Sequence, residues 1–216
     1  LNVLTDNFAA FRDGFLKTVE LTAYSSLLAL VLGILIAGFR VSPVPALRVF
    51  GTVWVTLLRN TPLVLLFLIV TLGLPALGLK GWDSFWLAVM ALGCYTSAFI
   101  CEAVRSGINT VPVGQAEAAR SIGMTFTQTL SQIVLPQAAR TAIPPVGSLI
   151  IALTKNSAIA SGFDVMELGA LQKELNADAG YDILVIFLWI AVCYLIITLT
   201  LSGLFRLLEN RLAVAR

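Results

Sequence analysis

Several stretches of this chain stay apolar for about twenty residues, the length a helix needs to cross the hydrocarbon layer of a membrane. Inside that layer every backbone N–H and C=O must be satisfied within the segment, so a helix is the conformation such a stretch is driven to. Composition agrees. Of 216 residues, 58% are hydrophobic and 12% charged, with mean hydropathy +0.93, whereas a soluble domain carries about 25% charge. The chain reads as an integral membrane protein.

Five spans are expected, over roughly Thr18 to Phe39, Val49 to Leu74, Ser84 to Ile108, Ala138 to Gly162 and Tyr181 to Leu207. The first breaks at "RVSPVPALR", with two prolines, and the second ends at "LPALGLKG". Bends are expected at Pro62 and at Pro144-Pro145, because proline removes a backbone donor and crowds the preceding turn. An odd number of spans places the termini on opposite sides. Arg40, Arg48, Arg105, Arg120, Arg140, Arg206, Arg211 and Arg216 fall on one side by this map; Arg12, Lys17, Lys80 and Lys173 fall on the other. The side with eight cations is expected to be the cytoplasm, which puts the N-terminus outside. A chain opening on Leu1 is expected to lack a short leader, and no signal-peptide pattern precedes the first span.

Some functions are disfavoured at once. A net charge of +2 without a lysine/arginine cluster argues against nucleic acid. With no histidine and no CxxC pair, no metal site is expected, and thioredoxin-like chemistry has no support. Cys94, Cys101 and Cys193 lie in apolar runs and read as small hydrophobes.

The passage "EAARSIGMTFTQTLSQIVLPQAAR", Glu117 to Arg140, differs from everything around it: it is alanine-rich and charged, and long apolar segments flank it. Pro112 and Gly114 precede a short helix, and Gly123 is placed to stop it. Small side chains let such a helix approach a partner closely, which suits insertion into a groove. Phe126, Leu130, Ile133, Val134 and Gln137 then give one apolar face, expected to end at Leu135-Pro136. Periodicity alone leaves a solvated linker equally open.

The spacing here resembles a known signature. Glu117-Ala118-Ala119, three residues, Gly123, nine residues, Ile133, one residue and Leu135-Pro136 are similar to the cytoplasmic motif of bacterial ABC-importer permeases. "TVELTAYSSLLALVLG", "LLRNTPLVLLFLIV" and "SAFICEAVRSGINTVPVGQAEAARSIG" extend the likeness along nearly the whole chain, to the polar amino-acid uptake permeases of the histidine, glutamine, arginine and glutamate systems. The resemblance implies an all-α fold of five membrane helices (type I, MetI-like) and one permease domain over residues 1–216, with a coupling segment at about 112–137. It implies a multi-pass protein of the bacterial cytoplasmic membrane that is not itself an enzyme. Implied partners are two copies of an ATP-binding subunit, a second permease chain, identical or homologous, and an extracellular substrate-binding protein. The coupling residues carried over are Glu117, Ala118, Ala119, Gly123, Ile133, Leu135 and Pro136. No GxxxxGK[ST] loop occurs in the chain, so ATP and Mg belong with the partner ATPase, and no cofactor is expected here.

Polar residues at membrane depth mark candidate substrate-path positions. Arg59 precedes Asn60-Thr61-Pro62, where a broken helix could present backbone to a substrate; pairing with a carbonyl or a neighbouring helix is the alternative. Glu102 and Arg105 read as an i,i+3 ion pair or as part of a gate. Lys155, Asn156 and Ser157 follow in span four. Related permeases often carry an acid where Asn156 stands, so the amide points away from cationic cargo and toward an acidic or neutral amino acid, glutamate first. Snorkelling of Lys155 to the interface is the alternative. The outer segment "FDVMELGALQKELNADAGYD" reads as a solvated connector, with a lid or a docking surface for the binding protein as other readings. A stand-alone channel or secondary transporter is the rival function, but no internal repeat appears. An intramembrane hydrolase lacks any GxSxG or HExxH motif.

Overall fold

In the computed structural model, residues 2–179 and 182–212 are described, and every regular element among them is helical. After a short turn, Asn2–Asp6, the helices are α1 (Phe8–Val41), α2 (Pro45–Asn60), α3 (Leu63–Ala76), α4 (Ser84–Asn109), α5 (Val113–Ser121), α6 (Leu135–Asn156), α7 (Leu171–Ala179) and α8 (Ile183–Leu212). Four helices are long and apolar enough to cross a membrane, and the broken pair α2–α3 makes a fifth candidate. Tyr181, the expected start of the fifth span, and Arg216, counted among the cytoplasmic cations, lie outside the described residues.

The expected bend at Pro62 is a break of 108° between α2 and α3. Its cause is local. A residue before proline is pushed out of the helical region, and Thr61 (φ −94°, ψ 130°) and Pro62 (φ −59°, ψ 136°) are both extended. The Thr61 hydroxyl donates to the Leu57 carbonyl at 2.8 Å, one of the acceptors the terminated helix leaves free.

At Pro144-Pro145, where a bend is expected, α6 runs through both prolines without interruption, and both sit on its exposed face. The amphipathic segment does not end at Leu135-Pro136. Phe126–Gln128 passes through a π-helical stretch, Thr129–Val134, directly into α6. Pro136 stands just after the π-helical stretch.

Small residues set the packing, as expected where lipid offers no hydrophobic drive between helices. α1 lies against α4. A Cβ on Gly33 would meet Ile100 Cγ2 at 2.6 Å, and one on Gly93 would meet Leu28 Cδ2 at 2.6 Å. α4 meets α6 at Gly107, where a Cβ would fall 2.6 Å from the Ala138 carbonyl oxygen, an atom of backbone that cannot swing aside. Toward the start of α4, Leu21, Phe67, Phe85 and Leu92 form one cluster. Toward its end, Ile36, Ala37, Val55, Ala98 and Cys101 form another. α8 leaves Leu184, Leu188, Leu195, Leu199 and Leu204 exposed, a surface suited to lipid.

The outer segment is not a solvated connector. Val165, Glu167, Leu168, Ala170, Leu171 and Leu175 are all buried, and Leu168, Leu171 and Leu175 pack with Phe11, Ile186 and Ile190. Asp164 and Glu174 of this segment are exposed.

Candidate functional site

Two groups of residues carry the candidate chemistry. The first is the helical corner between α4 and α6. α5 begins after Pro112, whose fixed φ suits a helix entry. It ends in a pair of bonds that define a left-handed cap: Met124 N–H donates to the Ala119 carbonyl (3.2 Å), and Gly123 N–H to that of Arg120 (3.0 Å). Gly123 sits at φ +90° with open space around it, so the requirement there is conformational. Thr125 then starts the next helix with a capping box. Gln128 N–H donates to the Thr125 hydroxyl (3.3 Å), and the Thr125 amide donates to the Gln128 side-chain oxygen (2.9 Å). A Gln137–Gln115 side-chain bond ties α5 back to the start of α6.

These bonds fix which side of α5 is presented. Glu117 and Ala118 are exposed, whereas Ala119 is buried. Of the two alanines, only Ala118 is available to a partner; Ala119 seats the helix. Ile133 is half-buried, and Leu135 and Pro136 are exposed. The sequence reading missed two residues. Val113 (72% exposed), Ile122 (82%) and Phe126 (70%) are large apolar side chains left open along this corner. Period counting overlooked Val113 and Ile122 because they stand at the two ends of α5.

Substituting Gly123 should test the cap directly. Gly123→Ala is expected to cost about 1–2 kcal/mol, the penalty of a left-handed residue with a Cβ, and to loosen the α5 stop. The check is amide exchange at 119–124, which should rise in the variant while that of α4 stays unchanged.

The second group lies where α1, α2 and α4 cross. Glu102, on α4, meets three arginines. Arg40 donates to its Oε1, and Arg105 donates to Oε2 through Nε (3.2 Å) and Nη2 (3.0 Å). Arg59 Nη1 lies 3.5 Å from Oε1 and rests over the Phe99 ring at 5.6 Å. The expected i,i+3 pair is present, therefore, but as one arm of a four-residue cluster. One carboxylate faces three guanidinium groups, an excess of two positive charges. Arg59 is the most loosely held, with its side chain 46% exposed against 15% for Arg40. Arg40, the tightest partner, was assigned to a loop by the sequence reading, because 62 residues separate it from Glu102.

A polar cavity of about 270 Å³ adjoins the cluster, lined by Arg40, Thr56, Arg59, Asn60, Phe99 and Glu102. Thr61 sits at the break, its hydroxyl committed to the Leu57 carbonyl. Trp54 Nε1 donates to Ser97 Oγ (3.1 Å), locking α2 on α4 beside the cavity. Lys155, Asn156 and Ser157 line no part of it. Lys155 is exposed and Asn156 half-buried at the end of α6, and Ser157 is buried with its hydroxyl on the Thr154 carbonyl. The arrangement can receive an anionic group at Arg59 without first breaking the Arg40 and Arg105 contacts.

Comparison with known proteins places the chain. Residues 29–214 match the family described as binding-protein-dependent transport system inner membrane component. The glutamate transport system permease protein GluC of Corynebacterium glutamicum is 44% identical over 213 residues, covering 94% of this chain and 93% of the relative. The probable glutamine ABC transporter permease protein GlnM of Bacillus subtilis is 38% identical, covering 98% and 97%. Among solved structures, one titled as an amino acid ABC transporter with histidines superposes with TM-score 0.89 at 30% identity, covering 96% of each chain. An inward-facing MetNI methionine transporter shares the fold, with TM-score 0.80 at 19% identity and coverage of 96% of this chain and 98% of that one. By residue pattern, helical architecture and likeness along nearly its full length, the chain belongs to the family of inner-membrane components of binding-protein-dependent transport systems.

Proposed function

We propose that this chain is one half of the translocation path of an ATP-driven importer for a polar amino acid, with glutamate the leading substrate. The observation that carries the coupling half of the reading is the exposure of Val113, Glu117, Ala118, Ile122 and Phe126 on a corner whose bounds are fixed by Pro112 and Gly123. In this reading two ATP-binding subunits grip that corner on each of two permease chains, identical or homologous. An extracellular binding protein delivers substrate to the opposite face. ATP and Mg are bound by the partner. The N-terminus is outside and the C-terminus cytoplasmic. Motion reaches the path because the corner continues without a break into α6. Ile133, Leu135 and Pro136 transmit it, while Ala119 and Gly123 hold the shape of α5.

The substrate reading rests on charge. The relatives named above are glutamate and glutamine permeases, and the cavity beside Arg59 carries an excess of positive charge suited to a carboxylate. Asn156, an amide beside Lys155, adds no negative charge to repel an anion. Glu102 holds the arginines in place, and Thr61 and Ser157 shape the ends of α2 and α6.

Reconstitution of both permease chains, the ATPase and the binding protein in proteoliposomes tests the proposal. Labelled glutamate should accumulate only with ATP, and excess unlabelled glutamate should compete best among the amino acids. Flux without ATP would favour a stand-alone transporter instead. Introducing a charge at the end of α6 tests specificity. Asn156→Asp is expected to lower glutamate uptake about tenfold, equivalent to about 1.4 kcal/mol, and glutamine uptake far less; equal losses would count against a carboxylate at this level of the path.

A further inference from the structure

Glu167 is the most deeply buried acid among the described residues, with no exposed surface, and the transport reading above gives it no part. It lies in the collar, residues 163–179 between α6 and α8, and on none of the candidate membrane-spanning helices. Its Oε2 contacts the Thr18 hydroxyl of α1 (3.1 Å) and the Tyr194 hydroxyl of α8; its Oε1 accepts from the Gly169 amide at 2.6 Å. That last approach requires glycine: a Cβ at position 169 would stand 2.5 Å from Oε1. The carboxyl therefore joins two long helices and the collar at one point.

Its charge state follows from what surrounds it. Among the described residues no lysine or arginine pairs with it. On α1, the half-buried Lys17 pairs with Glu20, and Asp13 is exposed. On the collar and α7, Asp164, Lys173 and Glu174 are exposed, and Lys173 reaches the Ser161 carbonyl. At the ends of α6 and α8, Lys155 and Asp182 are exposed. Tyr194 faces it from α8. One hydrogen is also short at Thr18. Thr18 Oγ1 accepts from the Leu168 amide (3.1 Å) and has one hydrogen, yet it lies within reach of two acceptors, the Gly14 carbonyl (3.0 Å) and Glu167. If Glu167 supplies a proton, both contacts are satisfied. A fully buried, unpaired carboxylate is otherwise among the costliest groups a protein can hold.

We propose that Glu167 is carried as the neutral acid and acts as a proton-holding pin that fastens the outer collar to α1 and α8, so that loss of its proton releases the collar. Burial pushes this carboxyl above the ordinary glutamate range, opposed in part by the hydrogen bonds from Tyr194, Thr18 and the collar amides. The sign follows. The pinned state binds the proton more tightly than the released one, so pinning is fully present at low pH and is lost as pH rises.

Hydrogen exchange on the intact transporter in lipid nanodiscs decides it, followed at amides 168–176 from about pH 5 to 9 and corrected for intrinsic rates. In the wild type, protection should fall with pH, approaching tenfold per unit once the acid ionises. Glu167→Gln, which cannot ionise, should show a level profile. Tyr194→Phe removes a donor that favours the ionised form, so its loss of protection should begin at higher pH. A level wild-type profile, a Gln variant that tracks the wild type, or a Phe variant shifted to lower pH would overturn the proposal. A purely structural glutamate would lower protection in the Gln variant equally at every pH, which also overturns it.

Discussion

Ala118→Trp is expected to reduce ATP-driven uptake by at least about tenfold, the equivalent of about 1.4 kcal/mol of docking energy, with the chain still folded and inserted. Ala118 is exposed on α5, and Val113, Ile122 and Phe126 are exposed apolar residues of the same corner. A small exposed residue here lets the α5 backbone approach a groove closely; an indole there holds the two surfaces apart. Little stability is at stake, because exposed substitutions away from caps and pairs usually stay within about 0.5 kcal/mol. The measurement is uptake together with basal and substrate-stimulated ATP hydrolysis of the assembled transporter. Stimulation should disappear along with uptake, while the melting temperature of the permease in detergent should hold. Unchanged uptake would mean that this face of α5 touches nothing.

The second large effect is expected at Glu102. Glu102→Gln leaves Arg40, Arg59 and Arg105 facing one another without a counter-charge at the crossing of α1, α2 and α4. Removing one partner from a buried pair costs about 3–5 kcal/mol. Here the side chains are 15–46% exposed, and a loss of about 2–3 kcal/mol is the fitting expectation after allowing for solvent. Thermal unfolding in detergent should show a clear fall in melting temperature. Adding Arg105→Gln to Glu102→Gln should recover part of it by removing one of the three crowded cations. By contrast, Arg59→Gln should change stability little, because Arg59 makes the longest of the three contacts and is the most exposed, yet it should raise the apparent KM for glutamate if the cavity receives a carboxylate. A double variant no more stable than Glu102→Gln would show that charge crowding is not what holds the crossing together.

The spans were readable in the sequence because twenty apolar residues admit few folds in lipid, and their observed bounds extend the expected ones mainly at the polar ends, as with Phe8–Val41 for the first. The coupling helix was readable because Pro112 and Gly123 are local devices whose effect depends on no distant partner. Residues that act across the fold were not. Arg40 and Glu102 meet only because α1 and α4 pack along their length, and nothing in the sequence between them, 62 positions apart, announces it. The burial of the collar was not readable either, because Glu167 looks like a surface charge until Thr18, Tyr194 and Gly169 supply the bonds that let it be buried. At Pro144-Pro145 a local breaking tendency of a few kcal/mol does not interrupt the helix, whose Ala142, Gly147 and Ile150 are buried.

The most direct measurement is chemical crosslinking from a single introduced thiol at Ala118, in a background where Cys94, Cys101 and Cys193 are replaced. With the ATP-binding subunit co-assembled and carrying thiols along its surface cleft, a short bismaleimide should join Ala118→Cys to that subunit, and ATP should change the yield. No adduct at any cleft position, together with labelling of Ala118→Cys by a membrane-impermeant reagent applied from outside intact cells, would contradict the account.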